Sequence, residues 1–401
     1  MSWDYVTLDK LGSISRGKSK HRPRNDKTLF GGKYPFIQTA DVKAAGLYLT
    51  DYNETYNDKG LAQSKLWSAG TLCITIAANI ADTAILGIDA CFPDSVMGFT
   101  PYEDISNVKF VKYAFDILQR DCKKISQGTA QDNLSWKKLS TIKFPAPDIE
   151  IQDKIVSKLS VYDDLIENNR KQIKLLEEAA QRLYKEWFVD LHFPGYEDVK
   201  IVDGLPEGWE KCSIMDNDVF IFAKSKITPF EGLKLYYATA DVTGTEISGD
   251  GVWVTFQNKP SRAAIKPIND SVWFARMSNS YKILCCYGNS SHLSETTIIS
   301  SGFAGFTARE GCFGFVFATI ASKWFDKEKN RYATGATQVS LTNEGLKKIQ
   351  VVLPTKNVAE EYSRIVEPYI EKAEQLKRSI KLLSQARDRL LPKLMSGEIE
   401  V

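Results

Sequence analysis

The densest cluster of chemically active side chains is basic and lies between residues 16 and 33. This segment contains one acid, Asp26, together with His21 and the Gly31–Gly32 pair. Its cations are Arg16, Lys18, Lys20, Arg22, Arg24, Lys27 and Lys33. Lysine and arginine neutralise backbone phosphates, which releases counterions, and both side chains also hydrogen-bond guanine edges. The pattern predicts a flexible basic loop that clamps phosphate, with a merely solvated surface loop as the alternative.

A second set of basic and polar residues is spread over the carboxyl-terminal half. Its members are Lys224, Lys226, Asn258, Lys259, Arg262, Arg276, Asn279, Tyr281 and Lys282. Two glycine turns, beginning at Gly128 and Gly335, present Gln131 and Gln338, which either contact DNA or cap a strand. Asn79 is a weaker candidate, because asparagine pairs bidentately with adenine, but a buried structural asparagine is the favoured interpretation.

Motifs for catalysis are missing from this sequence. It has no GxxxxGK[ST] phosphate loop, no Asn-Pro-Pro-Tyr signature and no GxSxG elbow. Its three histidines are scattered, and its seven cysteines form no CxxC pair. The adjacent Cys285 and Cys286 are expected to point to opposite faces of a strand. We therefore predict no catalytic residue, no metal site and a binding role.

Composition limits how this chain binds a polyanion. The 401 residues are 43% hydrophobic and 25% charged, which is typical of globular proteins, and the formal net charge is only +2. Nucleic-acid binding must therefore come from local patches. No apolar run approaches the ~18 residues of a membrane span, and unpaired cysteines suit a reducing environment. We expect a cytoplasmic protein without a membrane partner.

The sequence repeats itself at an offset of 207 residues. IKLLEEAAQRL at 173–183 aligns with IKLLSQARDRL at 380–390, with seven of eleven positions identical. Gly98-Phe-Thr100 recurs as Gly305-Phe-Thr307, and Thr39-Ala-Asp-Val42 recurs as Thr239-Ala-Asp-Val242. The segments between these landmarks have diverged. This pattern predicts two related modules that share a scaffold but differ in specificity.

Each half contains a mixed segment followed by a long helix. Short β-branched and aromatic runs between glycines and prolines predict an α+β module. Residues 151–188 lack glycine and proline, and their apolar residues recur in steps of three and four, which predicts one helix of ~55 Å. Residues 357–392 carry a matching seam, interrupted by Arg387, whereas Asn169 interrupts the first. We expect the helices to pack antiparallel with one module at each end, the alternative being that each helix packs on its own module.

Several segments together resemble a known family. They are Leu183-Tyr-Lys-Glu-Trp-Phe-Val-Asp190, His192-Phe-Pro-Gly195, Leu205-Pro-Glu-Gly-Trp-Glu210 and Arg389-Leu-Leu-Pro-Lys-Leu-Met-Ser-Gly-Glu398. With the two modules and two helices, this combination resembles the specificity subunit of a Type I restriction-modification system over essentially the whole chain.

The resemblance implies an α+β fold in which two pseudo-two-fold related target recognition domains are joined by two long antiparallel coiled-coil helices. The recognition domains would span 1–150 and 195–356, and the helical segments 151–194 and 357–401. Each domain would read one half of a bipartite, asymmetric site in double-stranded DNA. The helices would set the spacer and dock two methyltransferase subunits.

The resemblance also places the chemistry in partner subunits. S-adenosylmethionine would bind the methyltransferase subunits, and ATP and Mg²⁺ would bind a restriction subunit where one is present, so this chain would hold no cofactor. Trp187, Phe188 and Leu394 at the helix ends are candidate docking contacts, with packing in the local core as an equal alternative.

Two other functions remain open from the sequence. One is a single-chain DNA methyltransferase or nuclease with diverged catalytic motifs. The other is a coiled-coil adaptor without a nucleic-acid role, which leaves the basic segment at 16–33 unexplained.

Overall fold

A computed structural model describes residues 3–76, 82–125, 139–288, 293, 296–336 and 338–401, with the backbone alone for 120–125. The candidates Asn79 and Gln131 lie outside these residues. The chain folds into two compact units. The first consists of Met1–Glu167 with Leu382–Val401, and the second of Asn168–Lys381. None of the described helices is both long and apolar enough to cross a membrane.

In the part of the first unit that the structure describes, eleven strands are surrounded by helices. The strands are β1 (Tyr5–Thr7), β2 (Gly12–Arg16), β3 (Phe30–Phe36), β4 (Tyr48–Leu49), β5 (Glu54–Tyr56), β6 (Leu66–Trp67), β7 (Leu72–Thr75), β8 (Thr83–Leu86), β9 (Ala90–Cys91), β10 (Val96–Pro101) and β11 (Lys143–Pro145). The helices are α1 (Leu8–Leu11), α2 (Thr39–Ala44), α3 (Asp58–Ala62), α4 (Val108–Ile125) and the first part of α5 (Ile149–Phe188), with a 3₁₀ turn at Lys27–Leu29.

Three sheets organise this unit, in the orders β2-β10-β7-β8-β4, β5-β3-β9-β6 and β1-β11. Strand β7 is covered on both faces, which explains its unbroken apolar run. Leu72 and Ile74 pack with α4 residues such as Phe110. Cys73, which points to the opposite face, packs with Trp67. Alternate side chains of one strand therefore belong to two different cores.

The described residues of the second unit form fourteen strands. They are β12 (Ile201–Val202), β13 (Leu205–Pro206), β14 (Glu210–Ser213), β15 (Phe220–Phe222), β16 (Lys234–Tyr237), β17 (Val242–Thr243), β18 (Glu246–Ile247), β19 (Val252–Val254), β20 (Ala263–Ile265), β21 (Ser271–Ala275), β22 (Ile283–Cys286), β23 (Thr297–Ser300), β24 (Phe303–Ala308) and β25 (Gln350–Leu353). Its helices are α6 (Phe313–Ile320), α7 (Lys323–Tyr332), α8 (Asn343–Lys348) and most of α9 (Lys356–Met395), with 3₁₀ turns at Tyr196–Asp198 and Thr239–Asp241.

The two units share one topology. In the second, the sheets β15-β24-β21-β22, β19-β16-β23-β20 and β14-β25 repeat the strand order found in the first. Even the strand directions agree, because β3 pairs parallel with β9 and β16 pairs parallel with β23. The duplication and the α+β class that the sequence predicted are confirmed. The small pairs β12-β13 and β17-β18 belong to the second unit.

The repeated landmarks are scaffold elements. The Asp41 carboxylate accepts a hydrogen bond from the Gln38 amide, and the Asp241 carboxylate accepts one from the Ala238 amide, both at 2.7 Å. Each aspartate thus closes the helical turn that follows the central strand of its sheet. Val42 and Val242, one residue later in each unit, are buried at 1% and 0% exposure.

Two repeated glycines make room for a tryptophan. A Cβ on Gly98 would lie 2.5 Å from the Trp67 ring, and a Cβ on Gly305 would lie 2.5 Å from the Trp273 ring. The tryptophans come from different strands, β6 in one unit and β21 in the other. The glycine was therefore kept while its aromatic neighbour changed position.

The long helices α5 and α9 have 40 residues each. Their parts run antiparallel within each unit. In the first unit Asp163 pairs with Arg387, and Leu159 shares a core with Leu391 and Leu394. In the second, the contact of Asn169 with Ser379 and the hydrogen bond from Tyr362 to the Ala180 carbonyl follow the same order. The arrangement of one module at each end of the helices stays a prediction.

Two of the three expected docking contacts at the helix ends were wrong. Trp187 and Leu394 are 6% and 0% exposed and belong to the cores of their units. Phe188 packs edge-on against Phe315 and Tyr362, with centroid distances of 4.8 and 5.0 Å. Trp187 and Leu394 therefore fill cores, the alternative interpretation, whereas Phe188 is partly exposed against the core and stays a candidate contact.

We predict that Gly98→Ala destabilises the first unit by about 1–3 kcal/mol, because the added methyl group overlaps the Trp67 ring. The free energy of unfolding from denaturant titration measures the effect. Thr100→Ala, at an exposed position of the same strand, is the control and should change stability much less. Equal stability of wild type and Gly98→Ala would show that the tryptophan does not require a glycine here.

Candidate nucleic-acid interface

The basic segment of the first unit is held in place along most of its length. Arg16 ends β2, Lys27 begins a 3₁₀ turn and Lys33 lies within β3, so only residues 17–26 form a loop. The Lys18 amide donates to the Phe92 carbonyl at 3.1 Å, and the Lys20 amide to the Gln63 carbonyl at 3.3 Å. The loop therefore runs beside the residues that precede β6, and the flexible loop we expected is tied to the sheet.

Internal contacts neutralise part of its charge. Arg24 forms an ion pair with Asp94 at 2.7 Å. Arg22 Nη1 donates to the Ser19 and His21 carbonyls at 2.7 and 2.8 Å, so this guanidinium braces the loop. These two arginines are therefore poorer phosphate ligands than the sequence suggested.

The one acid of the segment is also occupied. Asp26 accepts the Thr28 amide at 2.9 Å and lies 2.8 Å from His21 Nε2. Hydrogen bonds from the amide and hydroxyl of Thr28, with a contribution from His21, lower the pKa of Asp26. Its carboxylate thus caps the 3₁₀ turn as an anion.

All seven cations of the segment are exposed. Among the described residues Arg16, Lys18, Lys20 and Lys27 form no ion pair, and Lys33 lies 5.2 Å from the ring centre of Tyr34. We call Arg16, Lys18 and Lys20 the first ridge, because they follow one another along the end of β2 and the start of the loop.

The second unit has a cationic surface at the equivalent place. The loop after β15 runs beside β20, because the Ile227 amide donates to the Ala264 carbonyl at 3.1 Å and the Ser225 hydroxyl donates to the Lys266 carbonyl. This pairing brings Lys224 and Lys226 beside residues 264–266, and Arg262 immediately precedes β20. All three side chains are exposed, and together they form the second ridge.

An aromatic cluster carries further lysines in the second unit. Phe230 and Phe256 pack edge to face at 5.6 Å. Lys234 lies 5.1 Å from the Phe230 ring and Lys259 lies 5.4 Å from the Phe256 ring. The exposed Asn258 accepts the Thr255 amide at 2.7 Å, so its carbonyl oxygen closes the turn that presents Lys259.

Three candidates from the sequence form hydrogen bonds within the second unit through their polar groups. Arg276 donates to the Leu341 carbonyl and to Asn343 Oδ1, both at 2.8 Å, and burial lowers its pKa. The Tyr281 hydroxyl donates to the Ala321 carbonyl at 2.9 Å, and burial raises its pKa to about 12.

Lys282 is the third of these. Its Nζ donates to the Thr239 carbonyl at 2.6 Å, and burial lowers its pKa. Through these hydrogen bonds, Arg276, Tyr281 and Lys282 stabilise the second unit.

Asn279 and Gln338 lie near one edge of the second unit. Met277 and Ser340 form a β-bridge, which brings residues 276–279 beside 338–341. Both candidate side chains are exposed. Gly335, with φ of 138°, precedes this edge, and a Cβ there would lie 2.4 Å from the Gln338 carbonyl oxygen. The backbone at Gly335 therefore requires glycine. For Gln338, contact with DNA and capping of a strand both remain open.

Sequence reasoning missed two cations beside the ridges. Lys266 follows β20 next to Ser225, and the exposed Lys65 lies immediately before β6, with Nζ 3.5 Å from the Trp67 ring centre. Each is isolated in the sequence, so no local charge density marks it. Only the pairing of the loops with β6 and β20 reveals them.

The described part of the chain holds no group of three or more metal-ligating side chains. The described cysteines have the properties of core residues and not of reactive thiols. Burial raises the pKa of Cys73, Cys91 and Cys285. Cys285 and Cys286 belong to different apolar clusters and so point to opposite faces of β22, as predicted.

Comparison with known proteins finds similarity to one family. Residues 2–178 match the model of the Type I restriction modification DNA specificity domain. The chain is 23% identical over 419 aligned residues to the Type I restriction enzyme MjaIX specificity subunit of Methanocaldococcus jannaschii, covering 100% of this chain and 94% of that one. It is 22% identical over 327 residues to the Type I restriction enzyme HindI specificity subunit of Haemophilus influenzae, covering 66% and 71%.

A solved structure shares the fold. The crystal structure of the Type-I restriction-modification system S subunit from M. genitalium superposes with a TM-score of 0.50 and 17% identity, covering 98% of this chain and 96% of that one. The family match, the full-length relative, the duplicated topology and the paired long helices agree. Over its full length the chain is thus similar to the specificity subunits of type I restriction-modification systems.

Proposed function

We propose that this chain is the sequence-specific DNA-recognition subunit of a type I complex and is not catalytic by itself. The recognition domains would be residues 1–150 and 195–356, each reading one half of a bipartite, asymmetric target in double-stranded DNA. The segments 151–194 and 357–401 would set the spacer between the half-sites.

The observation that carries this proposal is the repeated position of the two ridges. The loop after the first strand of the large sheet runs beside the residues that precede β6 in the first unit and beside β20 in the second, and both loops expose cations there. Equivalent edges suit two modules that contact the same duplex through phosphates. The side chains themselves differ, because Arg16, Lys18 and Lys20 face one half-site and Lys224, Lys226 and Arg262 the other.

Two methyltransferase subunits are the partners we propose for the helices, with S-adenosylmethionine bound by those subunits. Restriction subunits that use ATP and Mg²⁺ would join where present. Since Trp187 and Leu394 are buried, the docking contacts must come from other side chains. Helix α5 exposes Val161, Leu165 and Leu175 at 57%, 45% and 64%, and these replace the two buried candidates.

We predict that replacing Lys224, Lys226 and Arg262 by alanine weakens DNA binding and flattens its salt dependence. The slope of log K against log salt should fall by about 2–3, since each lost phosphate contact removes about 0.9. Fluorescence anisotropy of the complete methyltransferase complex on a duplex carrying the mapped target measures this. Alanines at the exposed lysines Lys154, Lys158 and Lys171 of α5 are the charge-matched control. An equal fall in the control would mean that net charge, not the ridge, governs binding.

Arg276 gives a contrasting prediction. Arg276→Ala should lower the free energy of unfolding by about 1–3 kcal/mol, because it removes two hydrogen bonds from a half-buried site. The salt slope of DNA binding should stay that of the wild type. A reduced slope with unchanged stability would instead make Arg276 a phosphate ligand.

We also predict that exchanging residues 1–147 for the module of another specificity subunit changes one half-site only. The junction is suitable because Pro147 precedes the start of α5 at Ile149 by two residues. Mapping the methylated sites in cells that carry the chimera reads out both halves. A chimera in which both halves change, or in which neither does, would contradict independent modules.

A further inference from the structure

The duplication creates a pairing problem for the long helices. Helices α5 and α9 are equally long, start 207 residues apart (356 − 149) and share seven of eleven positions in their most similar stretch. The apolar seam of α9, which packs against α5, therefore resembles the seam of α5 itself. Two copies of the chain have an alternative in which α5 packs on α5 and α9 on α9.

A buried ion pair marks the crossing in the first unit. Arg387 Nη1 on α9 lies 2.6 Å from Asp163 Oδ1 on α5, and the Asp163 side chain is only 3% exposed. The Tyr113 hydroxyl from α4 donates to the other carboxylate oxygen. Arg387 also contacts Asp388 at 3.0 Å. The Asp163 carboxylate is thus buried and satisfied from two sides, while the Arg387 side chain is 27% exposed.

The equivalent crossing in the second unit is apolar. Shifted by the repeat, Asp163 corresponds to Ile370 (163 + 207) and Arg387 corresponds to Ala180 (387 − 207). Both residues are buried, at 3% and 2% exposure, and belong to one apolar cluster. One crossing is therefore ionic where its repeat is hydrophobic.

A second charged crossing is also present in one unit alone. Lys377 on α9 lies 3.2 Å from Glu177 on α5 and 3.2 Å from Glu374, and its side chain is 5% exposed. Shifted by the repeat, Lys377 corresponds to Arg170 and Glu177 corresponds to Ser384. Arg170 contacts Glu246 at 3.6 Å. Both ionic crossings place the acid on α5 and the base on α9.

The asymmetry penalises pairing between like helices. If α5 replaced α9 at the first crossing, Asp163 would face Ala180 of the other copy. If α9 replaced α5, Arg387 would face Ile370. The first exchange leaves the buried Asp163 carboxylate without its ionic partner, which is strongly destabilising, and the second places the Arg387 guanidinium against an apolar side chain with only Asp388 of its own helix as an ionic partner. Burial of the seams alone would not distinguish these arrangements.

We propose that Asp163–Arg387, supported by Glu177–Lys377, is a pairing code that joins α5 to α9 of the same chain and excludes a second copy of this chain. The inference concerns assembly and stands whether or not the ridges bind DNA. Where the proposed function also holds, the code preserves two different half-sites, because like-with-like pairing would bring identical modules together.

The test converts the ionic crossing into its apolar repeat in the full chain. Asp163→Ile with Arg387→Ala installs the residues found at the second crossing. After refolding at equal concentration, light scattering should show a dimer fraction about tenfold or more above that of the wild type, because like-with-like pairing no longer isolates a charge. The reversed pair, Asp163→Arg with Arg387→Asp, keeps complementarity and should remain monomeric.

A cysteine probe identifies which helices pair. If residue 163 faces Ala180 of another copy, the two-fold axis that relates the two α5 helices passes midway between these positions, next to Gln172. Gln172→Cys should therefore give a 172–172 disulfide only in the apolar variant. Peptide mass spectrometry detects this link. Gly98→Ala controls for dimerisation caused by lower stability alone.

The outcome decides the proposal. Dimers with the 172–172 link in the apolar variant, and monomers in the reversed pair, support the code. A monomeric apolar variant without the link, or a wild type that forms the link equally, overturns it. If the apolar variant does not fold, Asp163→Asn with Arg387→Gln removes both charges at nearly constant size and is held to the same two readouts.

Discussion

The burial of two long apolar seams is the constraint on which the rest of this structure depends. Neither 40-residue helix can leave its seam in water, and each unit satisfies this by packing a part of α5 against a part of α9. In the first unit Leu391, Leu394 and Met395 share one core with Leu8 and Phe110. The amino-terminal module is therefore completed by the last residues of the chain.

Burial provides the attraction between the helices, while a few polar groups define its details. Asn169 contacts Ser379 at 3.2 Å on the seam, and the two ionic crossings lie on either side of it along α5. Apolar contacts tolerate sliding and exchange, whereas a buried charge or amide is satisfied in only one arrangement. The seam thus combines a strong non-specific force with sparse specific contacts.

A similar separation divides scaffold from recognition surface within each module. Sheets with the same strand order, and the repeated Asp41 and Asp241 turns, fix where the loops after β2 and β15 lie. The side chains on those loops are free to differ, because they face solvent and not the core. With a net charge of +2, binding depends on such local surfaces, and internal pairs such as Arg24–Asp94 reduce the number of effective cations.

The sequence by itself determined the duplication, the α+β modules and the long helices, predicted over 151–188 and 357–392 and found at Ile149–Phe188 and Lys356–Met395. These properties are linear, because periodicity and self-similarity are visible along one chain. Only the tertiary structure decided which side chains are available. It buried Trp187 and Leu394, engaged the Arg276 guanidinium in internal hydrogen bonds and brought the loop after β15 beside β20. Burial and pairing depend on neighbours that are distant in sequence, and the local sequence pattern does not indicate which residues these are.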